Sequence, residues 1–345
     1  MKRTASVMSI ASALFLLFAF AVSAQASVRP VRFIFSHNEP VTSSQSVGLE
    51  EWAAVVEKAA DGRISFEMLG GGALGAARDT LDRVRHGAAD FTYTTPSLFE
   101  GMFPYVQMFQ LPMLPIRDGN VGTNALWDLY DEFPEVFDNM FESQGLKLIG
   151  MFCTDSSIIG TNVEVRTVDD IRGMRLRAVA GPLSEVTRLW GASPISLGQS
   201  EIYEAMEKNL IEGMLNVWSG VYSFRQYEVA RYFLDIPIFC NQLMVVMGLD
   251  QWNALSPELQ EILWENSGRE ASLKYFYAGQ AQNTVQAREA IVAHGSVINV
   301  ATPEEIATFA GAAEAVNRTW LERYTTDEVD AIMLFERAKE LISNY

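Results

Sequence analysis

GMRLRAVAGPLSEVTRLWGASPISLGQSEIYEAMEKNLIEGMLN, residues 173–216, decides the fold class. Residues i and i+2 of an extended chain share a face. Arg175 and Arg177 therefore point one way, and Met174, Leu176 and Ala178 the other. Gly181 and Pro182 stop this strand, and proline suits the first turn of the helix that PLSEVTRLWGA predicts. SPISL is a short strand. SEIYEAMEKNLIEGM is a second helix, with Ser200 as its expected N-cap, and LNVW is a third strand. Alternating strands and helices of this length imply a parallel sheet and an α/β fold. Two arginines at the end of a half-buried strand call for a partner, either a neighbouring carboxylate or a bound anion.

The pattern repeats on both sides. VRFIFSH (31–37), ISFEML and DFTYTT read as strands, separated by an amphipathic helix over 46–63 and a helix in AARDTLDRVRHGA that follows the glycine loop GGGALG (70–75). LKLIGMF (146–152) and LMVVMGL are further strands. Residues 256–295 hold one proline, Pro257, near their start, and read as one very long helix or two abutting ones. TPEEIATFAGAAEAVNRTWLERY is a helix capped by Thr302, with Pro303 at its first position.

The first residues read as a secretory leader. Lys2 and Arg3 precede an apolar run over 10–22, and Ala24-Gln25-Ala26 fits a small-x-small cleavage site. The run is too short for a comfortable bilayer span. Cleavage after Ala26 leaves 319 of the 345 residues, more than one hydrophobic core usually serves, so two lobes are expected. The remaining 24 basic and 43 acidic side chains give a formal charge of −19, which excludes electrostatic binding of nucleic acid. Cys153 and Cys240, the only cysteines, sit in apolar strands and read as buried free thiols, with a disulfide the alternative that an exported context permits. With three scattered histidines they give no metal-ligand spacing, so no metal or cofactor is expected.

The 173–216 segment resembles the core signature of the DctP-type solute-binding proteins of TRAP transporters. The matching pieces are Gly173–Arg177 (G-x-K/R-x-R), Gly191–Pro194 (GA-x-P), Glu201–Ala205 and Asn209–Gly213. GGGALGAARDTLDRVRHGAADFTYTTP, FPYVQMFQLPML and YEVARYF (227–233) are similar to further family segments in the same order. The resemblance implies two α/β lobes of the periplasmic binding protein type, with a long C-terminal helix spanning both. It implies chain crossings near 153, 241 and 281, with lobe I formed by 27–152 and 242–281 and lobe II by 153–241 and 282–345. It implies no chemical step. A small organic acid is captured in the interlobe cleft, in the periplasm, and passed to an ion-gradient-driven membrane permease, by a protein expected to be a monomer.

Carried over residue by residue, the resemblance makes Arg177 the carboxylate anchor. A guanidinium offers a planar fork that matches a carboxylate. Arg175 is expected to meet solvent or an acidic neighbour. Asn216 aligns with a ligand-binding asparagine, and Trp218 either walls the cleft or belongs to the core. Gln199, Ser36 and Thr95 stand where some members place an aromatic, an asparagine and a glutamate. Many members carry a second arginine about twenty residues before the first; here that position falls near Ser157. A single guanidinium then favours a monocarboxylate, with Phe152, Tyr93 and Trp218 as apolar walls. Asp155 reads as a loop carboxylate. Two rival functions remain at this level. A receptor for a periplasmic sensor would share the fold. A hydrolase or lyase would need a base beside Ser156 or Ser157, and no histidine lies near them in sequence.

Overall fold

The computed structural model describes residues 30–345, so the expected leader lies outside the described residues. The strands are β1 (Val31–His37), β2 (Ile64–Leu69), β3 (Phe91–Thr94), β4 (Leu146–Cys153), β5 (Ser157–Thr161), β6 (Arg175–Arg177), β7 (Ser193–Ile195), β8 (Gly213–Val217), β9 (Tyr232–Asp235), β10 (Gln242–Gly248) and β11 (Val297–Val300). They form two sheets, ordered β2-β1-β3-β10-β4 and β11-β9-β5-β8-β6-β7. β1 runs parallel to β2 and β3, as the β-α-β order predicts, while β10 is antiparallel to β3 and β4. In the second sheet β6 runs parallel to β7 and β8, and β5 is antiparallel to β8 and β9.

The chain passes from the first sheet to the second between β4 and β5 and returns between β9 and β10. β4 and β10 are buried on both faces. Leu148, Met151, Met244 and Val246 join one core, and Ile149, Phe152, Val245 and Met247 join another with Trp52 and Phe276. Two-sided burial explains why Leu148–Cys153 and Leu243–Gly248 carry no alternation of apolar and polar residues.

Helix Pro257–Glu265 ends at Asn266, and a helical segment then continues from Gly268 to His294, so the 256–295 stretch is two abutting helices. Gly268, at φ +66°, takes the left-handed turn between them that a β-carbon would oppose. The second piece contains a π-helical stretch, Ser272–Tyr277. It is about 40 Å long at 1.5 Å per residue. Ala271, Phe276 and Tyr277 lie in the core of the first lobe, and Ala287 and Ile291 in that of the second.

Three local expectations need correction. The 303–324 helix is two, Pro303–Ala310 and Ala313–Tyr324, although Thr302 and Pro303 open it as expected. Helix Gln199–Glu207 is capped at Gly198, whose N–H donates to Glu201, rather than by Ser200. Helix Ala331–Ile342 was expected in the second lobe with the rest of 282–345. It instead packs Leu334, Ala338 and Leu341 into the core around Leu126 and Trp127 of the first lobe, and Arg337 pairs with Glu132 at 2.6 Å. An amphipathic helix settles where its apolar face finds a complement, and helix Gly119–Glu132 supplies one. Among the described residues no helix is long and apolar enough to cross a membrane.

Candidate functional site

A cavity of about 580 Å³ opens between the lobes, a volume typical of small-molecule sites. From the second lobe its lining includes Arg177, Gln199, Asn216, Ser219 and Gly220. From the first it includes Glu39, Arg78, Tyr93, Thr95 and Ser97. Thr154, Asn241 and Gln280 come from the crossing segments and the long helix.

Arg177 lies at the end of β6, whose register pairs it with Met214 of β8, so Arg177 and Asn216 share one face of the sheet. Only 4% of its surface is exposed. Nε donates to Leu197 O and Nη1 to Leu215 O, both at 3.1 Å. Two backbone carbonyls thus pin the guanidinium and leave its other N–H groups to the cavity. Among the described residues no carboxylate lies within ion-pair distance of it. Burial lowers its pKa to about 10, partly offset by Glu201, so it remains a cation at neutral pH. Arg175, two residues earlier, faces solvent and forms a fork with Glu212 at 3.0 Å. The two arginines of the strand therefore divide: Arg175 meets an acidic neighbour, as expected of it, and Arg177 holds its charge inside the cavity with no carboxylate partner among the described residues.

Asn216 and Gln199 are joined by two hydrogen bonds, Gln199 Nε2 to Asn216 Oδ1 at 2.8 Å and Asn216 Nδ2 to Gln199 Oε1 at 3.1 Å. Asn216 Nδ2 also donates to buried Gln226 Oε1 at 2.6 Å, and Gln226 Nε2 donates back to the Gln199 carbonyl. Gly220 packs over this amide cluster. A β-carbon there would sit 2.9–3.1 Å from the two side chains.

Thr95 lines the cavity and donates to Asn241 Oδ1 at 3.2 Å. Ser97 Oγ and Gln110 Nε2 donate to the same oxygen, at 3.1 and 2.9 Å. Three donors fix the Asn241 amide so that its oxygen is spent inward.

Three sequence-predicted residues stay outside the lining. Trp218, open between cleft wall and core, belongs to the core: β8 ends at Val217 and Trp218 begins a helix. Its ring is buried in the second lobe, with the Arg288 guanidinium 4.1 Å from its centroid. Ser157 Oγ donates to Ile236 O and accepts from the N–H groups of Ile238 and Phe239, which ties β5 to the returning chain. Ser36 is buried within the first sheet. Phe152 likewise belongs to the core, while Tyr93 does line the cavity. Asp155 accepts from Gly119 N–H and Tyr277 O–H beside the crossing strands. Cys153 and Cys240 are buried free thiols.

The expectation of a single guanidinium also changes, because Arg78 reaches the cavity rim from the first lobe. It is well exposed and lies 3.9 Å from Glu201 of the opposite lobe. Glu39, Asn241 and Gln280 were missed as well. Asn241 left a trace as a polar interruption in the apolar run around FCNQ. Gln280 left none inside a polar helix.

Residues 35–323 match the family model described as bacterial extracellular solute-binding protein, family 7 (DctP). The chain is similar to the ectoine/5-hydroxyectoine-binding periplasmic protein UehA of Ruegeria pomeroyi, with 25% identity over 301 residues and 87% of each chain covered. It is similar to the 2,3-diketo-L-gulonate-binding periplasmic protein YiaO of Escherichia coli, with 24% identity over 267 residues, 74% of this chain and 77% of that one. Among solved structures it resembles a marine metagenome TRAP solute-binding protein specific for aromatic acid ligands, in complex with 3-hydroxybenzoate. The TM-score is 0.83 and the identity 24%, with 92% of this chain and 99% of that one covered. A TRAP solute-binding protein from Rhodoferax ferrireducens, with copurified benzoate, also superposes at TM-score 0.83, with 22% identity and 91% and 98% covered.

Proposed function

The chain belongs to bacterial extracellular solute-binding protein family 7, whose members are periplasmic receptors of TRAP transporters and not enzymes, and from that premise we propose that it captures a small monocarboxylate on Arg177. The observation that carries this reading is the guanidinium itself: buried, cationic, held by two carbonyls, and without a carboxylate partner among the described residues. A buried charge left alone is costly, and a ligand carboxylate is the natural complement. The Gln199–Asn216–Gln226 cluster flanks it with amide groups. A ligand reaching Asn216 displaces or meets Gln199, since the Asn216 donors are already engaged.

The cavity is walled by both lobes, so a bound solute bridges them and favours the closed form through the contacts made only there. The membrane permease then receives the closed, loaded form. Relatives named for ectoine and diketogulonate, and neighbours holding benzoate and 3-hydroxybenzoate, agree on one acidic group and differ in the rest.

A thermal-shift screen of small organic acids, each paired with its amide, tests the reading. A ligand at a thousand times its Kd stabilises by about 4 kcal/mol, several degrees in Tm. Acids that stabilise where their amides do not support it; amides that stabilise equally well refute it.

A further inference from the structure

The chain crosses between the sheets after β4 and again before β10, and a cysteine stands at each crossing. Cys153 is the last residue of β4, and its partner in the antiparallel register of β10 is Gln242. Cys240 precedes Gln242 by two residues. Residues i and i+2 of an extended segment share a face, and so do residues directly opposite in a ladder. The two cysteines therefore point the same way, into the core of the first lobe, where both are buried. The contacts agree. Gln242 Nε2 donates to Cys240 Sγ at 3.3 Å. Thr154 N–H donates to Asn241 O at 2.8 Å, and Asn241 N–H donates to Thr154 Oγ1 at 3.0 Å, so the residues that follow the two cysteines are bonded to each other. Burial, and after it the adjacent Cys240 thiol, hold the Cys153 thiol well above its usual pKa.

The binding site does not use this pair. Among the described residues neither cysteine lines the cavity, and no cluster of metal-ligating side chains includes them. The structure holds them as thiols. The relatives of this chain are periplasmic, and the periplasm is an oxidising compartment in which disulfides form and persist.

We propose that Cys153 and Cys240 are a disulfide site, oxidised in the exported protein, so that a covalent bond joins the outgoing crossing to the returning one. The oxidant is an external disulfide, R–S–S–R. One cysteine thiolate attacks a sulfur of the oxidant, forming a mixed disulfide and releasing one R–SH. The other cysteine attacks its neighbour's sulfur in that mixed disulfide and releases the second R–SH. Two cysteine S–H bonds and the oxidant's S–S bond break, the Cys153–Cys240 bond forms, and both protons leave on R–SH. The cysteines are oxidised by two electrons and the oxidant is reduced by two. Cys240 gives up its S–H hydrogen bond to Phe109 O, 3.4 Å long. Both sulfurs are shut off from water in the folded chain, so exchange belongs to the folding stage, and the finished bond is shielded from reductants. The loop it closes, 153–240, contains β5 to β9. Cross-linking so long a loop removes much of the freedom of the unfolded chain. The bond fastens the base of the second lobe to the core of the first and leaves the cavity untouched.

The test uses the full chain recovered from a bacterial periplasm, quenched in acid and unfolded in urea with N-ethylmaleimide. It should take up no maleimide, and two after reduction with a phosphine. Peptide mapping should find the segments holding Cys153 and Cys240 as one linked species. Reduced, unfolded protein that refolds with glutathione disulfide should form the same link. It should then melt several degrees higher than protein refolded with a reductant. The double variant Cys153→Ala, Cys240→Ala should melt alike under both conditions. The main comparison is of the native chain in two redox states, so it does not depend on how a variant folds. Two maleimides on the periplasmic protein, or glutathione adducts in place of the link after refolding, would overturn the disulfide. Equal melting of the linked and reduced chains would overturn its role as a fastening.

Discussion

The two walls of the cavity are built differently. The second lobe presents polar groups that are already fixed. Carbonyls hold Arg177, and Gln199, Asn216 and Gln226 satisfy one another. The first lobe presents groups that are not: among the described residues the Glu39 carboxylate has no hydrogen-bond or ion-pair partner, and Gln280 Oε1 has no donor. A preorganised wall sets orientation at little reorganisation cost. An unsatisfied wall sets which solutes are worth binding, because its deficit is repaired only by a ligand of the right chemistry.

Breaking the fixed wall should have the largest effect. Arg177→Ala is expected to cost about 2–4 kcal/mol of ligand binding, some hundredfold in affinity, with little loss of Tm in the empty protein. Arg177→Lys should recover little of it, since the fork is lost. Calorimetry beside thermal melts separates the two quantities, and normal affinity in Arg177→Ala would remove the anchor.

Next comes Gln226→Ala, which leaves one Asn216 Nδ2 N–H without its acceptor and removes the donor to the Gln199 carbonyl, while the Asn216–Gln199 bond remains. It should destabilise the empty protein by about 1–3 kcal/mol in chemical denaturation and weaken binding as a consequence. An unchanged midpoint would show that the amide cluster is not structural.

The unsatisfied wall should show itself in pH dependence. The folded-state pKa of Glu39 is raised from 4.5 to about 7. Its contribution to stability is therefore present below 4.5 and lost as pH rises through 7. His37, lowered from 6.5 to about 4, acts the other way: its contribution is present above 6.5 and lost as pH falls through 4. In the wild type the two slopes oppose each other between about 4.5 and 6.5. Glu39→Gln should be more stable than wild type above pH 7, by roughly 1–3 kcal/mol, and no different below 4.5. Denaturation curves of both proteins at pH 4, 6 and 8 check this; a constant offset would mean that Glu39 does not titrate in that range.

The smallest effect is assigned to Arg175→Ala. An exposed fork with Glu212 is worth less than about 1 kcal/mol, and ligand affinity should not move. A large loss of binding would erase the distinction between the two arginines of β6.

What could be read in advance follows from locality. Arg175 and Arg177 were separable because strand period, the Gly-Pro stop and the surrounding motif all lie within a few residues. The same holds for the capped start at Thr302 and for the apolar runs of β4 and β10. Trp218 was open because its face depends on where β8 ends, and nothing in LNVWSG marks Val217 as the last strand residue. Ser157 aligned with a ligand position but was drawn into backbone bonds from residues 236–239, some eighty positions away. Glu39 lies in the polar stretch NEPVTSSQS between the first strand and its helix. Its significance lies in having no partner, a property of three-dimensional surroundings that no local pattern encodes. The last helix was misplaced for a similar reason, since its complement is more than two hundred residues upstream.

The helical segment 268–294 is anchored in a separate core at each end. Mechanically it is a beam clamped at both supports. Rotation of one lobe against the other must be taken up as curvature along its length, so closure works against a restoring torque. The π-helical stretch at 272–277 forms part of the first clamp, since it carries Phe276 and Tyr277, and there Ser272 Oγ both donates to Gly268 O and accepts from Met151 N–H. The same torque that resists loading would help to reopen the lobes once the solute has gone, so that release resets the receptor without any source of energy beyond the bend itself.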